Sequence, residues 1–238
     1  ISLMKKYTFT YMVLVVVVLV AWFGFRVYQA YFGGRNSAVM KYILNPEEHQ
    51  DWVTPQGQVC DNAPFSMPTE GYIGYYYDDS FRPLHRHQGI DIFGGMSAGE
   101  TPVFAPYDGF LSREEGWISS LILRIPQDPT TSEERQIWVY MTHLADGQGN
   151  SLIAEQFPPG IQETPVKQGD LLGYQGNYSG DPAQPVGVHL HLSIVKDDGK
   201  GQYLNELKIA NTYDPSPYFG MNLRSTNPTV GLAKCQTD

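Results

Sequence analysis

The chain has 238 residues, of which 42% are hydrophobic and 17% charged, and its net charge is −9 at pH 7. The hydrophobic share is large enough for a buried core, and the acidic excess argues against nucleic-acid binding, because a phosphate backbone attracts a positive surface. The 24 Gly, 17 Pro and 16 Tyr residues favour short strands joined by tight turns over a helical bundle.

Residues 1–29 are predicted to form a cytoplasmic tip and a transmembrane anchor. The stretch 7–25 carries no charge, and a helix of that length rises roughly 28 Å, close to the ~30 Å hydrocarbon thickness of a bilayer. Lys5 and Lys6 favour a cytoplasmic N-terminus, which places the rest of the chain outside. The alternative is a cleaved signal peptide with secretion of the remainder, but the bulky Tyr28 fits a cleavage site near Ala30 poorly.

Residues 30–64 are predicted to be a linker with one short helix near 37–44, because Gly and Pro residues interrupt the segment on both sides.

Cys60 and Cys235 belong to no C-x-x-C pair, which argues against a zinc ribbon or a thioredoxin-like site. In an oxidising compartment they could form one disulfide, or they could stay two thiols, and sequence does not decide between these. Residues 224–238 are predicted to be a C-terminal tail.

Residues 65–223 are predicted to form one mainly β, antiparallel, sandwich-like domain. Apolar runs bounded by turn residues indicate its strands. The predicted strands are 101–105, 109–112, 119–125, 136–143, 170–175 and 188–195.

The alternation of apolar residues and histidines at 188–192 places His189 and His191 on the same face of a strand. One of the two can bind a metal while the other stands beside it. A solvent-exposed pair on an edge strand is the alternative.

His87 and Asp91 are both good zinc ligands, but a straight strand would separate them by about 13 Å. The segment must therefore bend, and Gly89 between them permits an unusual backbone. Together with one histidine of the 189–191 pair they give three ligands and an open fourth position, which is typical of a catalytic zinc site. His143, at the end of a predicted strand, can reach such a site from the side.

The motifs H-x-G-x-D at 87–91, Y-x-x-H-L at 140–144 and H-L-H at 189–191 together resemble the lysostaphin-type (LytM-like) zinc metallopeptidases. Segments 102–109, 166–173 and 214–218 are also similar to that family. The middle motif departs from the family's frequent pattern, because two residues rather than one separate its Tyr from its His.

The resemblance implies a LytM-type fold, a duplicated hybrid motif built of antiparallel strands, behind the N-terminal transmembrane helix. It implies one Zn²⁺ per chain held by His87, Asp91 and His191, with His143 and His189 as non-ligand catalytic histidines. The implied activity is endopeptidase cleavage of stem or cross-bridge peptides in peptidoglycan, outside the cytoplasm.

Two other functions stay open. A non-catalytic LytM-like scaffold could regulate a cell-wall amidase, although the complete set of five residues weighs against it. An exported peptidase could instead act on a protein. The sequence identifies no partner in a cell-wall or division complex.

Overall fold

The computed structural model describes residues 2–79, 85–224 and 232–236. Parts of the predicted anchor, domain and tail lie outside the described residues, namely residue 1, 80–84, 225–231 and 237–238. The helices are α1 (Ser2–Phe32), α2 (Gly34–Leu44) and α3 (Ser216–Phe219), with 3₁₀ segments at Pro46–Trp52 and Ile209–Asn211. The strands are β1 (Tyr72–Tyr75), β2 (Ile90–Phe93), β3 (Pro102–Phe104), β4 (Gly109–Ser112), β5 (Leu121–Ile125), β6 (Ile137–Thr142), β7 (Thr164–Val166), β8 (Leu171–Tyr174), β9 (Leu190–Lys196) and β10 (Thr212–Tyr213).

Two antiparallel sheets build the domain. The large sheet has the strand order β1-β2-β9-β6-β5-β4-β7, with β10 also paired to β9, and β3 pairs with β8 in a small second sheet. The predicted mainly antiparallel β fold is confirmed.

The main core lies between these sheets. Alternation along β6 directs Ile137, Val139 and Met141 into the core, where they join residues of the small sheet such as Val103 and Leu172. The opposite face of the large sheet carries the intervening side chains, including Thr142, and it is this face that bears the candidate site.

All six predicted strands are present within one or two residues of the expected limits. Four short strands, β1, β2, β7 and β10, were not predicted. They have two to four residues each, which is too short for a periodic pattern to stand out.

The apolar helix α1 is long and apolar enough to cross a membrane over Tyr11–Tyr28. Its side chains from 11 to 28 are exposed, so the described domain does not bury this stretch as a core element. A membrane span and a signal sequence both fit this composition.

The predicted short helix near 37–44 is present as α2, which begins at Gly34. It packs on the domain: Ala38, Val39 and Tyr42 are buried in a small cluster with Tyr72 and Phe93.

Farther along the chain, Cys60 and Cys235 form a disulfide, and Cys235 packs against the main core.

Candidate metal centre

Asp91 and His191 are brought together by strand pairing. Asp91 on β2 lies directly opposite His191 on β9, and their side chains leave the sheet on the same face. Asp91 Oδ1 lies 2.7 Å from His191 Nδ1. The other ring nitrogen of His191, Nε2, lies 2.9 Å from Ser193 Oγ on the same strand.

His87 joins this pair from a loop rather than from a strand. Its Nε2 lies 3.0 Å from His191 Nδ1 and 3.1 Å from Asp91 Oδ1. Its Nδ1 lies 3.0 Å from the carbonyl oxygen of Tyr76. A carbonyl oxygen can only accept a hydrogen bond, so Nδ1–H of His87 donates this one. In the neutral ring Nε2 then carries no hydrogen, and it faces Asp91 Oδ1 and His191 Nδ1.

The three donor atoms fit a zinc ion. In a tetrahedral site with Zn–N and Zn–O bonds of about 2.0–2.2 Å, ligand atoms lie about 3.4 Å apart. The distances of 2.7–3.1 Å are slightly shorter, so small outward shifts of buried side chains would admit the ion. The second ring nitrogen of each histidine already has a hydrogen-bond partner, as is usual for histidine ligands of zinc.

Two further histidines lie beside this group without joining it. His189 Nε2 is 3.8 Å from Asp91 Oδ1, and the ring of His143 lies 4.4 Å from that of His189 between centroids. In both, Nδ1–H donates to a backbone carbonyl: to Gly187 at 2.6 Å from His189, and to Tyr178 at 2.7 Å from His143. In the neutral form of either ring, Nε2 carries no hydrogen and can only accept.

Protonation in this group follows from burial and the single carboxylate. Burial would raise the pKa of Asp91, but the adjacent His87 and His189 hold it well below its usual value, so Asp91 is ionised. Burial opposes protonation of His87, and the Asp91 carboxylate nevertheless raises the pKa of that ring. Burial lowers the pKa of His189 to about 3, so this ring is neutral at pH 7.

Backbone geometry explains how His143 reaches the site despite its unusual spacing from Tyr140. Regular alternation along β6 would direct His143 to the core face with Met141. The strand instead ends at Thr142, and His143 adopts a left-handed conformation with φ of 70°. Gly176 packs so closely here that an added Cβ would lie 2.7 Å from the His143 carbonyl oxygen.

The reason for a glycine at 89 differs from the predicted one. Its φ lies outside the left-handed region, but an added Cβ would lie 2.1 Å from the carbonyl oxygen of Leu192 on β9. Gly89 is thus required by close approach of the His87 loop to β9. Asp91 itself lies within strand β2, and the chain bends at residues 88–89, before that strand begins.

The five histidine and aspartate side chains lie in an open cleft of about 790 Å³. Residues of α2 form one wall of this cleft, although the sequence predicted them to lie in a linker. These are Asn36, Val39, Met40 and Ile43. Sequence also gave no signal for the backbone carbonyls of Tyr76, Tyr178 and Gly187 that orient the three histidines, because every residue carries the same acceptor.

No family model and no curated protein sequence matches the chain. Among solved structures, the catalytic domain of the antimicrobial peptidase lysostaphin from Staphylococcus simulans is similar, with 18% identity and a TM-score of 0.39 over 63% of this chain and 90% of that one. The catalytic domain of a variant of the prophage-encoded M23 protein EnpA from Enterococcus faecalis is similar over 64% of this chain and 96% of that one, with 17% identity and a TM-score of 0.36.

Helicobacter pylori Csd3 is similar at 16% identity and a TM-score of 0.37, over 76% of this chain and 36% of the Csd3 chain. The chain thus spans about a third of the length of Csd3. At these identities and TM-scores the likenesses support no conclusion about activity.

Proposed function

We propose that the chain is a zinc-dependent endopeptidase that hydrolyses stem or cross-bridge peptides of peptidoglycan. The observation that supports this most is the convergence of His87 Nε2, Asp91 Oδ1 and His191 Nδ1 within 3.1 Å of one another, beside two more histidines in an open cleft. Three protein ligands and a free fourth position are typical of catalytic zinc, whereas structural zinc is closed by four.

His87, Asp91 and His191 would hold the metal. Bound zinc supplies a water of near-neutral pKa and polarises a carbonyl group. His189, whose Nδ1–H is fixed by its bond to the Gly187 carbonyl, would accept the proton of that water at Nε2. His143, when protonated, would donate from Nε2 to the substrate oxygen that gains negative charge or to the leaving amine.

The substrate class rests on the motif resemblance rather than on the cleft. We assign residues 1–29 to an uncleaved membrane anchor, 30–64 to the linker, 65–223 to the peptidase domain and 224–238 to the tail. In this arrangement α1 holds the cleft outside the cytoplasm, where peptidoglycan is found.

The full chain in detergent micelles, incubated with purified peptidoglycan, tests this proposal. We expect zinc-dependent release of peptide fragments, identified by mass spectrometry, and loss of release after chelation or in a His189→Ala variant. His49→Ala is the matched control, because this histidine stacks on Trp52 and does not line the cleft.

The outcomes separate the three candidate functions. Release no greater than in the chelated sample would reject a wall endopeptidase. If the protein also bound no zinc, a scaffold that regulates an amidase would be favoured. Zinc binding with cleavage of a protein substrate alone would favour the exported peptidase.

A further inference from the structure

Arg35, in the first turn of α2, is a buried cation in a helix that follows the membrane-proximal end of α1. Only 7% of its side chain is exposed. It forms an ion pair with Asp79, and its guanidinium lies 3.6 Å from the centre of the Tyr76 ring. Burial of a guanidinium is costly unless it is paired, so these contacts fix α2 against the segment 76–79.

The same segment holds the loop-borne ligand His87. The Tyr76 carbonyl accepts from His87 Nδ1 at 3.0 Å. The His87 backbone is held at both of its polar atoms: its N–H donates to the Asp79 carbonyl at 2.8 Å, and its carbonyl accepts from the Asp78 N–H at 2.8 Å. These three hydrogen bonds to His87 therefore come from Tyr76 and Asp79, which Arg35 contacts, and from Asp78 beside them.

A second contact joins α2 to the same ligand. Tyr75 Oη donates to Asn36 Oδ1 at 2.7 Å, and the Tyr75 ring meets the His87 ring edge to face at 6.4 Å between centroids. Neighbouring residues of α2 also line the cleft. Helix α2 thus contacts the surroundings of His87 through two adjacent residues.

We propose that Arg35 is a positioning residue for the metal ligand His87, so that docking of α2 and metal binding are coupled. Asp91 and His191 are fixed by the pairing of β2 with β9, whereas His87 has no strand partner among the described residues. If α2 left the domain, the ion pair between Arg35 and Asp79 would break. Segment 76–79, which orients His87 by hydrogen bonds, would then lose its contacts with α2. Since coupling is reciprocal, metal binding must also favour docked α2.

This inference rests on the proposed zinc site, and zinc affinity tests both. In the full chain in detergent micelles, we expect Arg35→Met to bind zinc roughly 2- to 30-fold more weakly than wild type. Asp79→Asn should have a similar effect, and the double variant should lose less than the sum of the two. Lys41→Met is the matched control, because it removes an exposed cation from the same helix outside the cleft, and it should change zinc affinity less than twofold.

Two readouts separate positioning from general stability. The visible spectrum of the cobalt-loaded protein reports ligand geometry, and it should change in Arg35→Met but not in Lys41→Met. In wild type, zinc should slow hydrogen exchange of the α2 amides, a measurement that remains possible if the variants fail to fold.

Each result decides the matter. A wild-type chain that binds no zinc would reject both the site and the coupling. Zinc binding of equal strength in wild type and Arg35→Met, or α2 exchange unchanged by zinc, would reject the coupling and leave the proposed site intact.

Discussion

The two halves of the candidate metal centre are built differently. Asp91 and His191 stand on paired strands in the middle of the large sheet, where backbone hydrogen bonds on both sides fix their positions. His87 stands on a loop and depends on carbonyl and amide groups of 76–79, which α2 holds in turn. The sheet thus supplies two of the ligand atoms at fixed spacing, and the third is held by hydrogen bonds from 76–79, a segment that contacts α2.

The largest expected effect comes from the strand-borne carboxylate. Asp91→Ala should abolish stoichiometric zinc binding, because it removes the only anionic donor of the cluster and leaves His191 without its neighbour across the strands. Metal analysis after dialysis measures this. Asp108→Ala, at an exposed carboxylate paired with Lys167, is the control and should keep its zinc; zinc retained in Asp91→Ala would remove this residue from the ligand set.

The next effect separates chemistry from metal binding. His189→Ala should lower the rate of peptide hydrolysis by about 10²–10⁴-fold, the usual contribution of a general base. Zinc content should stay at the wild-type level, because His189 Nε2 lies outside the donor cluster at 3.8 Å from Asp91 Oδ1. A hydrolysis rate near that of wild type would exclude His189 as the base.

A smaller effect tests the support of the strand-borne histidine. Ser193→Ala removes the partner of His191 Nε2 and should weaken zinc binding by about 10- to 100-fold, as loss of such partners does elsewhere. Ser66→Ala, another buried serine, lies away from the cleft and should leave the zinc dissociation constant unchanged. Equal dissociation constants for wild type and Ser193→Ala would show that the strand alone holds His191.

The smallest effect is a pH dependence of stability in zinc-free protein. The pKa of His189 is about 3 in the folded state because of burial, whereas an unfolded histidine titrates near 6.5. Between these values only the unfolded state binds the proton, so the free energy of unfolding falls as pH drops below about 6.5, by up to about 1.4 kcal/mol per pH unit from this group. Between pH 7 and pH 5, denaturant titrations should show a smaller fall in the free energy of unfolding for His189→Gln than for wild type. Equal pH dependence in the two proteins would contradict the lowered pKa of His189.

The sequence predicted the parts of the site that depend on strand periodicity. Alternation at 188–192 placed His189 and His191 on one face, and the structure has both in the cleft, with Leu190 and Leu192 in the core. The spacing of His87 and Asp91 predicted a bend. These inferences succeeded because a strand has a fixed period of two residues.

What the sequence could not supply depends on contacts between distant segments. Helix α2 has a mixed composition and reads as part of a linker, yet it forms a cleft wall through packing of Val39 against Gly74 and Phe93. The left-handed backbone at His143 also has no sequence signal, since few non-glycine residues adopt it and nothing around this histidine marks it as one of them. The close approach of Gly176 to the His143 carbonyl is likewise a contact between distant segments.

The central claim is that three side chains hold one zinc ion and leave it an open position. Anomalous diffraction at the zinc edge from crystals of the zinc-loaded chain tests this most directly. We expect a single strong peak about 2.0–2.2 Å from His87 Nε2, Asp91 Oδ1 and His191 Nδ1, with no fourth side chain bound. A peak elsewhere, or a fourth protein ligand completing the coordination, would contradict it.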